Sequence, residues 1–132
     1  MLFGSSGIRR KFDQELADTA LRVGSALACL PKKEIVVGMD CRTTSPLLAR
    51  IVTAGILGNG GSPLFCGTVP TPTVAYHARH AGAGCMITAS HNPEEYNGLK
   101  LFNPDGSSFT RQQQQEMEGL IKSYHWQDWR HV

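Results

Sequence analysis

The 132-residue sequence predicts an α/β fold: a three-layer α/β/α domain around a mixed four-stranded sheet, three strands parallel and the last antiparallel. Three observations predict it. Short apolar runs of strand length, Glu34 to Gly38, Pro63 to Cys66 and Gly84 to Thr88, alternate with segments of helical period. Two consecutive strand–helix–strand units imply right-handed crossovers, parallel strands and helices on both faces of the sheet. The segment from the third run to a fourth, Leu99 to Phe102, is roughly ten residues, short of the dozen or more that a parallel crossover needs, so the fourth strand turns back.

Each element has its own local signal. Asp13 caps a helix whose apolar stripe is Leu16, Ala20, Val23, Leu27 and Leu30, and Pro31 ends it. Ser45 followed by Pro46 reads as an N-cap with proline at the first helical position. Leu48, Ile51, Val52 and Gly55 form that helix's inner face, and Asn59-Gly60-Gly61 closes it. Thr71-Pro72 opens a third helix that closes near Gly82. Asn97-Gly98 reads as a tight turn with a residue at positive φ. Thr110 with Gln113 fits a capping box for a last helix with Met117, Leu120 and Ile121 facing inward.

Composition bounds the function. With 41% hydrophobic and 18% charged residues, the chain reads as a soluble globular domain of ordinary size. A net charge of +2 is too small for a general nucleic-acid surface. No apolar run approaches membrane-spanning length, and the N-terminal residues show no signal-peptide apolar region. The four cysteines form no Cys-x-x-Cys pair, which argues against zinc and for a reducing, cytoplasmic compartment. Cys66 and Cys85 sit in apolar runs and are expected in the core.

The densest chemistry lies in Thr88-Ala89-Ser90-His91-Asn92-Pro93-Glu94-Glu95-Tyr96-Asn97-Gly98-Leu99-Lys100. Ser90 follows directly on a buried-strand pattern, so its hydroxyl emerges where ligands gather in such folds, at the carboxyl ends of the strands. A serine hydroxyl is a weak nucleophile without an activating base or metal. His91, the next residue, points away from it on an extended segment, and no Gly-x-Ser-x-Gly elbow is present, so hydrolase chemistry is the weaker reading. A serine that carries or transfers an anionic group fits better, with Arg9, His91, Lys100 and Arg42 as the cations at hand. Asp40 and Arg42 read first as an ion pair bracing the loops.

This loop resembles the active-serine loop of the α-D-phosphohexomutases. Phe3-Gly4-Ser5-Ser6-Gly7-Ile8-Arg9, Gly38-Met39-Asp40-Cys41-Arg42-Thr43-Thr44-Ser45 and Gly67-Thr68-Val69-Pro70-Thr71-Pro72-Thr73 resemble the family's other signatures, in the family's order. The family's N-terminal signature commonly continues with glycine, where this chain has Arg10. The resemblance implies that residues 1–132 are domain I of a four-domain enzyme that moves phosphate between the C6 and C1 oxygens of a hexose through a phosphoserine and a bisphosphate. It implies catalytic roles for Ser90, Lys100, His91 and Arg9, with phosphate or substrate contacts from Arg9, Ser6, His91 and Lys100. It also implies Mg2+, with Ser90 or its phosphate as this chain's ligand and the remaining ligands from an Asp-rich loop of domain II. Phosphomannomutase/phosphoglucomutase is the first expectation for activity and phosphoglucosamine mutase the second; a non-catalytic phosphate- or partner-binding module is the rival of another class. The expected partners are a hexose phosphate and domains II to IV. Alone, the domain is expected to fold without turning over substrate, and its uncovered docking surface to favour self-association.

Overall fold

The computed structural model describes residues 2–5 and 7–132. Among them the order is β1 (Ile8–Lys11), α1 (Gln14–Leu27), β2 (Glu34–Met39), α2 (Ser45–Gly58), β3 (Ser62–Thr68), α3 (Thr71–His77, continued by a 3-10 turn at Ala78–His80), β4 (Ala83–Ile87), β5 (Tyr96–Phe102) and α4 (Arg111–Lys122). The strands form one sheet in the order β1-β5-β4-β2-β3. β2 pairs in parallel with β3 and β4, and β5 returns antiparallel to β4, as the short connection requires.

The expected four-stranded sheet is corrected to five. Ile8–Lys11 adds antiparallel to β5, with Ile8 opposite Leu99 and Lys11 opposite Tyr96. This edge strand reads Ile-Arg-Arg-Lys, and only Ile8 is buried, so it carries almost no apolar signal. A second correction concerns Asn97-Gly98. Both residues lie inside β5, opposite Arg10 and Arg9, and neither has positive φ. The added strand β1 holds them extended.

The two faces separate cleanly along β2. Ile35 and Val37 enter a large core with Leu16 and Val23 of α1, Leu48 and Val52 of α2, and Met117 of α4. Val36 points the other way, into a smaller core with Val74, Met86 and Phe102 under α3. Period-two alternation thus produces the three layers.

The caps follow local chemistry. Asp13 Oδ1 accepts from the Leu16 amide at 2.8 Å, and Thr110 and Gln113 form the full capping box. At α2 the cap is Thr44, not Ser45; Ser45 is the first helical residue, and its hydroxyl is used elsewhere. Cys85 is buried, and burial pushes its thiol up to about 12. Cys66 is only half-buried because β3 is an edge strand. The same edge leaves Leu64 and Phe65 exposed by 48% and 55%. Beyond α4, the Gln127 amide donates to the Gly58 carbonyl at 3.1 Å and its side chain to Asn59 Oδ1 at 3.1 Å, strapping the chain over the end of α2.

Helices α1 and α2 touch backbone to backbone through reciprocal glycines. A Cβ on Gly24 would overlap the Val52 carbonyl, and one on Gly55 would overlap the Leu21 carbonyl. In an open helix, Gly→Ala stabilises by about 1 kcal/mol. Here overpacking against main chain, about 1–3 kcal/mol, outweighs that gain. Gly55→Ala is therefore expected to lower the urea midpoint, while Gly119→Ala, where a Cβ meets open space, raises it.

Candidate active site at the rim of the sheet

The carboxyl ends of β2 and β4 lie side by side. The Asp40 amide donates to the Ile87 carbonyl at 3.0 Å, and the Thr88 amide to the Gly98 carbonyl at 3.0 Å. Past Thr88 the chain leaves the sheet and turns tightly. Thr88 Oγ1 accepts from the Ser90 amide at 3.0 Å. The Asn92 amide and side-chain nitrogen both donate to the Ala89 carbonyl, at 3.0 and 2.9 Å, so Asn92 holds the turn before Pro93. The Tyr96 amide returns to the Pro93 carbonyl at 2.9 Å. Ser90 sits at φ 54°, the sole non-glycine at positive φ among the described residues, and is exposed.

Arg42 reaches into this loop from the segment after β2. Its Nη1 donates to the carbonyls of Pro93 (2.7 Å) and Tyr96 (3.1 Å). Its Nη2 donates to those of Ser90 (2.9 Å) and Asn92 (2.8 Å). Nε faces Asp40 Oδ2 at 3.3 Å. The bracing pair expected from sequence is present. The same geometry corrects the idea of Arg42 as a phosphate contact, because its four terminal N–H groups are all given to main-chain oxygens.

Asp40 is held in turn. Its Oδ1 accepts from Ser45 Oγ at 2.5 Å and from the Arg42 amide at 3.1 Å. Asn97, fully buried, donates from Nδ2 to Ser45 Oγ (3.1 Å) and to Thr44 Oγ1 (2.8 Å), while its Oδ1 accepts from the Gly98 amide (2.9 Å). Sequence reasoning missed Asn97 and Ser45 as members of the site. Asn97 carried no strand signal of its own, because with Gly98 it reads as a turn ahead of the fourth strand.

Ser90 opens onto a pocket of about 530 Å³ lined by Asp40, Cys41, Arg42, Thr88, Asn92 and Glu94. Arg9, His91 and Lys100 are not among its lining residues. Arg9 stands beside it, opposite Gly98 and level with Thr88. Burial, then the cation of Arg42, lower the Arg9 pKa, and Asp40 partly offsets them, which places Arg9 in the field of that pair. Arg10, on the opposite face of the strand, pairs with Asp13 (2.9 Å) and Glu15 (3.2 Å) instead. Lys100 is half-buried, opposite Met86 and on the same sheet face as Arg9. Its Nζ lies 5.4 Å from the Phe102 ring centroid. His91 is exposed, and among the described residues neither it nor Lys100 hydrogen-bonds Ser90. Ser6 lies outside the described residues; its neighbours Gly4 and Gly7 exchange backbone hydrogen bonds at 2.9 and 3.2 Å.

The donors present do not make a complete magnesium site. Among the described residues no group of three or more His, Cys, Asp or Glu side chains is placed to hold a metal, and Asp40 is engaged by Arg42 and Ser45.

Residues 1–128 match the family model for domain I, the alpha/beta/alpha domain, of phosphoglucomutase/phosphomannomutase. The chain belongs to this α-D-phosphohexomutase family as its N-terminal, α/β/α domain. A phosphoglucosamine mutase of Methanococcus aeolicus is 49% identical over 120 residues, covering 91% of this chain and 26% of that protein. One of Methanocaldococcus jannaschii is 48% identical over 120 residues, with the same coverage of 91% and 26%. A phosphoglucomutase/phosphomannomutase family protein of Burkholderia thailandensis has a solved structure that superposes with a TM-score of 0.77 at 26% identity, over 96% of this chain and 31% of that one. The chain thus spans about a quarter of the length of the curated relatives it matches.

Left-handed backbone disfavours a side chain by about 1–2 kcal/mol. Ser90→Gly is therefore expected to be about 1 kcal/mol more stable than Ser90→Ala in denaturant unfolding. Equal stability of the two would show that Ser90 does not hold this conformation in solution.

Proposed function

We propose that Ser90 carries the phosphoryl group of a phosphohexomutase that interconverts hexose 6-phosphate and hexose 1-phosphate. The observation that carries the reading is the exposed Ser90 hydroxyl at the joined carboxyl ends of β2 and β4, facing a pocket with Arg9 beside it. A phosphoserine brings about −1.5 to −2 charge at neutral pH, and phosphoryl transfer needs that charge positioned and neutralised. Arg9, on a fixed strand, suits two-point contact with phosphate oxygens.

In the forward step the bond from phosphorus to Ser90 Oγ breaks and one to a sugar hydroxyl oxygen forms. The sugar hydroxyl gives up its proton and Ser90 Oγ gains one. Lys100 is our candidate for this proton exchange, and His91 for a donor to the substrate oxygen. The bisphosphate then turns in the site and returns its other phosphate to Ser90. Magnesium belongs to this reading, with the Ser90 phosphate as this chain's ligand and the other ligands from outside these residues. We assign the groups that read the sugar to further domains of the same enzyme, and a cytoplasmic location follows the four free cysteines.

The serine loop alone does not select the sugar. The names borne by the relatives at 48–49% identity move the preference from phosphomannomutase/phosphoglucomutase to phosphoglucosamine mutase.

The test is intact-mass analysis of the full-length protein after incubation with magnesium and a hexosamine or hexose 1,6-bisphosphate. One phosphate is expected on wild type and none on Ser90→Ala; an unmodified wild type removes the reading. Lys100→Ala is expected to slow the transfer by about 10²–10⁴-fold, the usual worth of a general acid/base.

A further inference from the structure

The loop from Ser90 to Tyr96 turns four carbonyl oxygens toward one point. Main-chain oxygens converging on a partly closed space need donors, and unmet ones are costly. The Arg42 side chain, only 13% exposed, supplies all four from one planar fork, and Asp40 faces its remaining nitrogen. The fork has its own brace: β5 holds Asn97, Asn97 holds Ser45, Ser45 holds Asp40, and Asp40 holds Arg42. One of the four oxygens belongs to Ser90 itself, the residue held in the left-handed region.

We propose that Arg42 is the positioning residue of the serine loop, acting through the shape of its guanidinium fork and not through its charge. This rests on the reading of Ser90 as the phosphate carrier. Arg42 grips the carbonyls of Ser90, Asn92, Pro93 and Tyr96, and so sets where a phosphate on Ser90 stands relative to Arg9. Its own N–H groups are committed to the loop. A lysine at this position keeps the positive charge but offers three donors from a single nitrogen, which cannot span carbonyls shared between two separate guanidinium nitrogens.

Two measurements on this chain decide it. The first is amide hydrogen exchange of the unphosphorylated protein at Ser90, Asn92 and Tyr96, whose amides each have a partner within the loop or at its start. Arg42→Lys is expected to speed exchange at these three by about tenfold or more, with Ile87 and Leu99 in the sheet unchanged as the check on folding. In Arg42→Ala, about 50 mM guanidinium chloride restores protection and the same concentration of ammonium chloride does not. Unchanged exchange in Arg42→Lys overturns the proposal. If Arg42→Ala does not fold, Arg42→Lys with Asp40→Asn decides, the latter expected to give intermediate exchange.

The second is the 31P titration of phosphoserine encoded at position 90. Wild type is expected to titrate below free phosphoserine, and Arg9→Ala to lose part of that displacement. Arg42→Lys is expected to lose it as fully as Arg42→Ala. A wild-type titration in Arg42→Lys means that charge alone suffices, and the proposal fails. A wild-type protein that titrates like free phosphoserine counts instead against the phosphate-carrier reading, and the exchange experiment still judges Arg42.

Discussion

Four carbonyl oxygens of the loop between β4 and β5 meet one guanidinium, and the arrangement of the rim follows from that meeting. A loop so short cannot satisfy its own main chain by secondary structure, so the donors come from across the sheet. They arrive on the segment that follows β2, the strand next to β4. The doubly wound topology is what brings the two strand ends together. The polar chain from Asn97 through Ser45 and Asp40 then ties the loop's support to β5 and to the start of α2. Local strain at Ser90, lattice-like satisfaction around Arg42 and the order of the strands are one constraint seen at three scales.

The rim divides into two parts with different duties. Around Ser90 the side chains mostly hold main chain: Thr88, Asn92 and Arg42 each spend their polar atoms on the loop. Across the edge, Arg9 and Lys100 share a face of β1 and β5. Geometry is set by the first part, and positive charge is presented by the second. This division explains why the residue that donates to the Ser90 carbonyl is an arginine with no donor to spare.

Much of the fold was legible because its signals are local. Asp13, the Thr110–Gln113 box and the stripe of Leu16, Ala20, Val23 and Leu27 each declare themselves within a few residues, and each was found in place. The direction of β5 followed from chain length alone. β1 was not legible, because an edge strand of Ile-Arg-Arg-Lys buries one side chain and is specified by its partner, not by its own pattern. Asn97-Gly98 misled for a related reason. The dipeptide is permissive for a turn, and only the neighbours Ser45 and Thr44 turn its amide into a buried tie. The place of Ser90 just past the end of β4 was legible from its position after an apolar run. Its left-handed backbone was not, because residue type gives no warning that a serine stands where glycine is easier. Arg42 was read as a brace from its pairing with Asp40, but its acceptors are carbonyls, which every residue possesses and no residue letter marks.

The outer margin of β3 has a practical consequence. Ser62–Thr68 carries no charged side chain, pairs on one side only, and shows Leu64 and Phe65 to water. Such a margin is a template onto which other extended segments can add. It lies beyond β2 from the serine's own strand, so the adhesive edge and the candidate site are carried by different strands. Solubility can therefore be tuned by placing a lysine at Leu64 or Phe65, away from the end of β3 where Thr68 stands beside Met39.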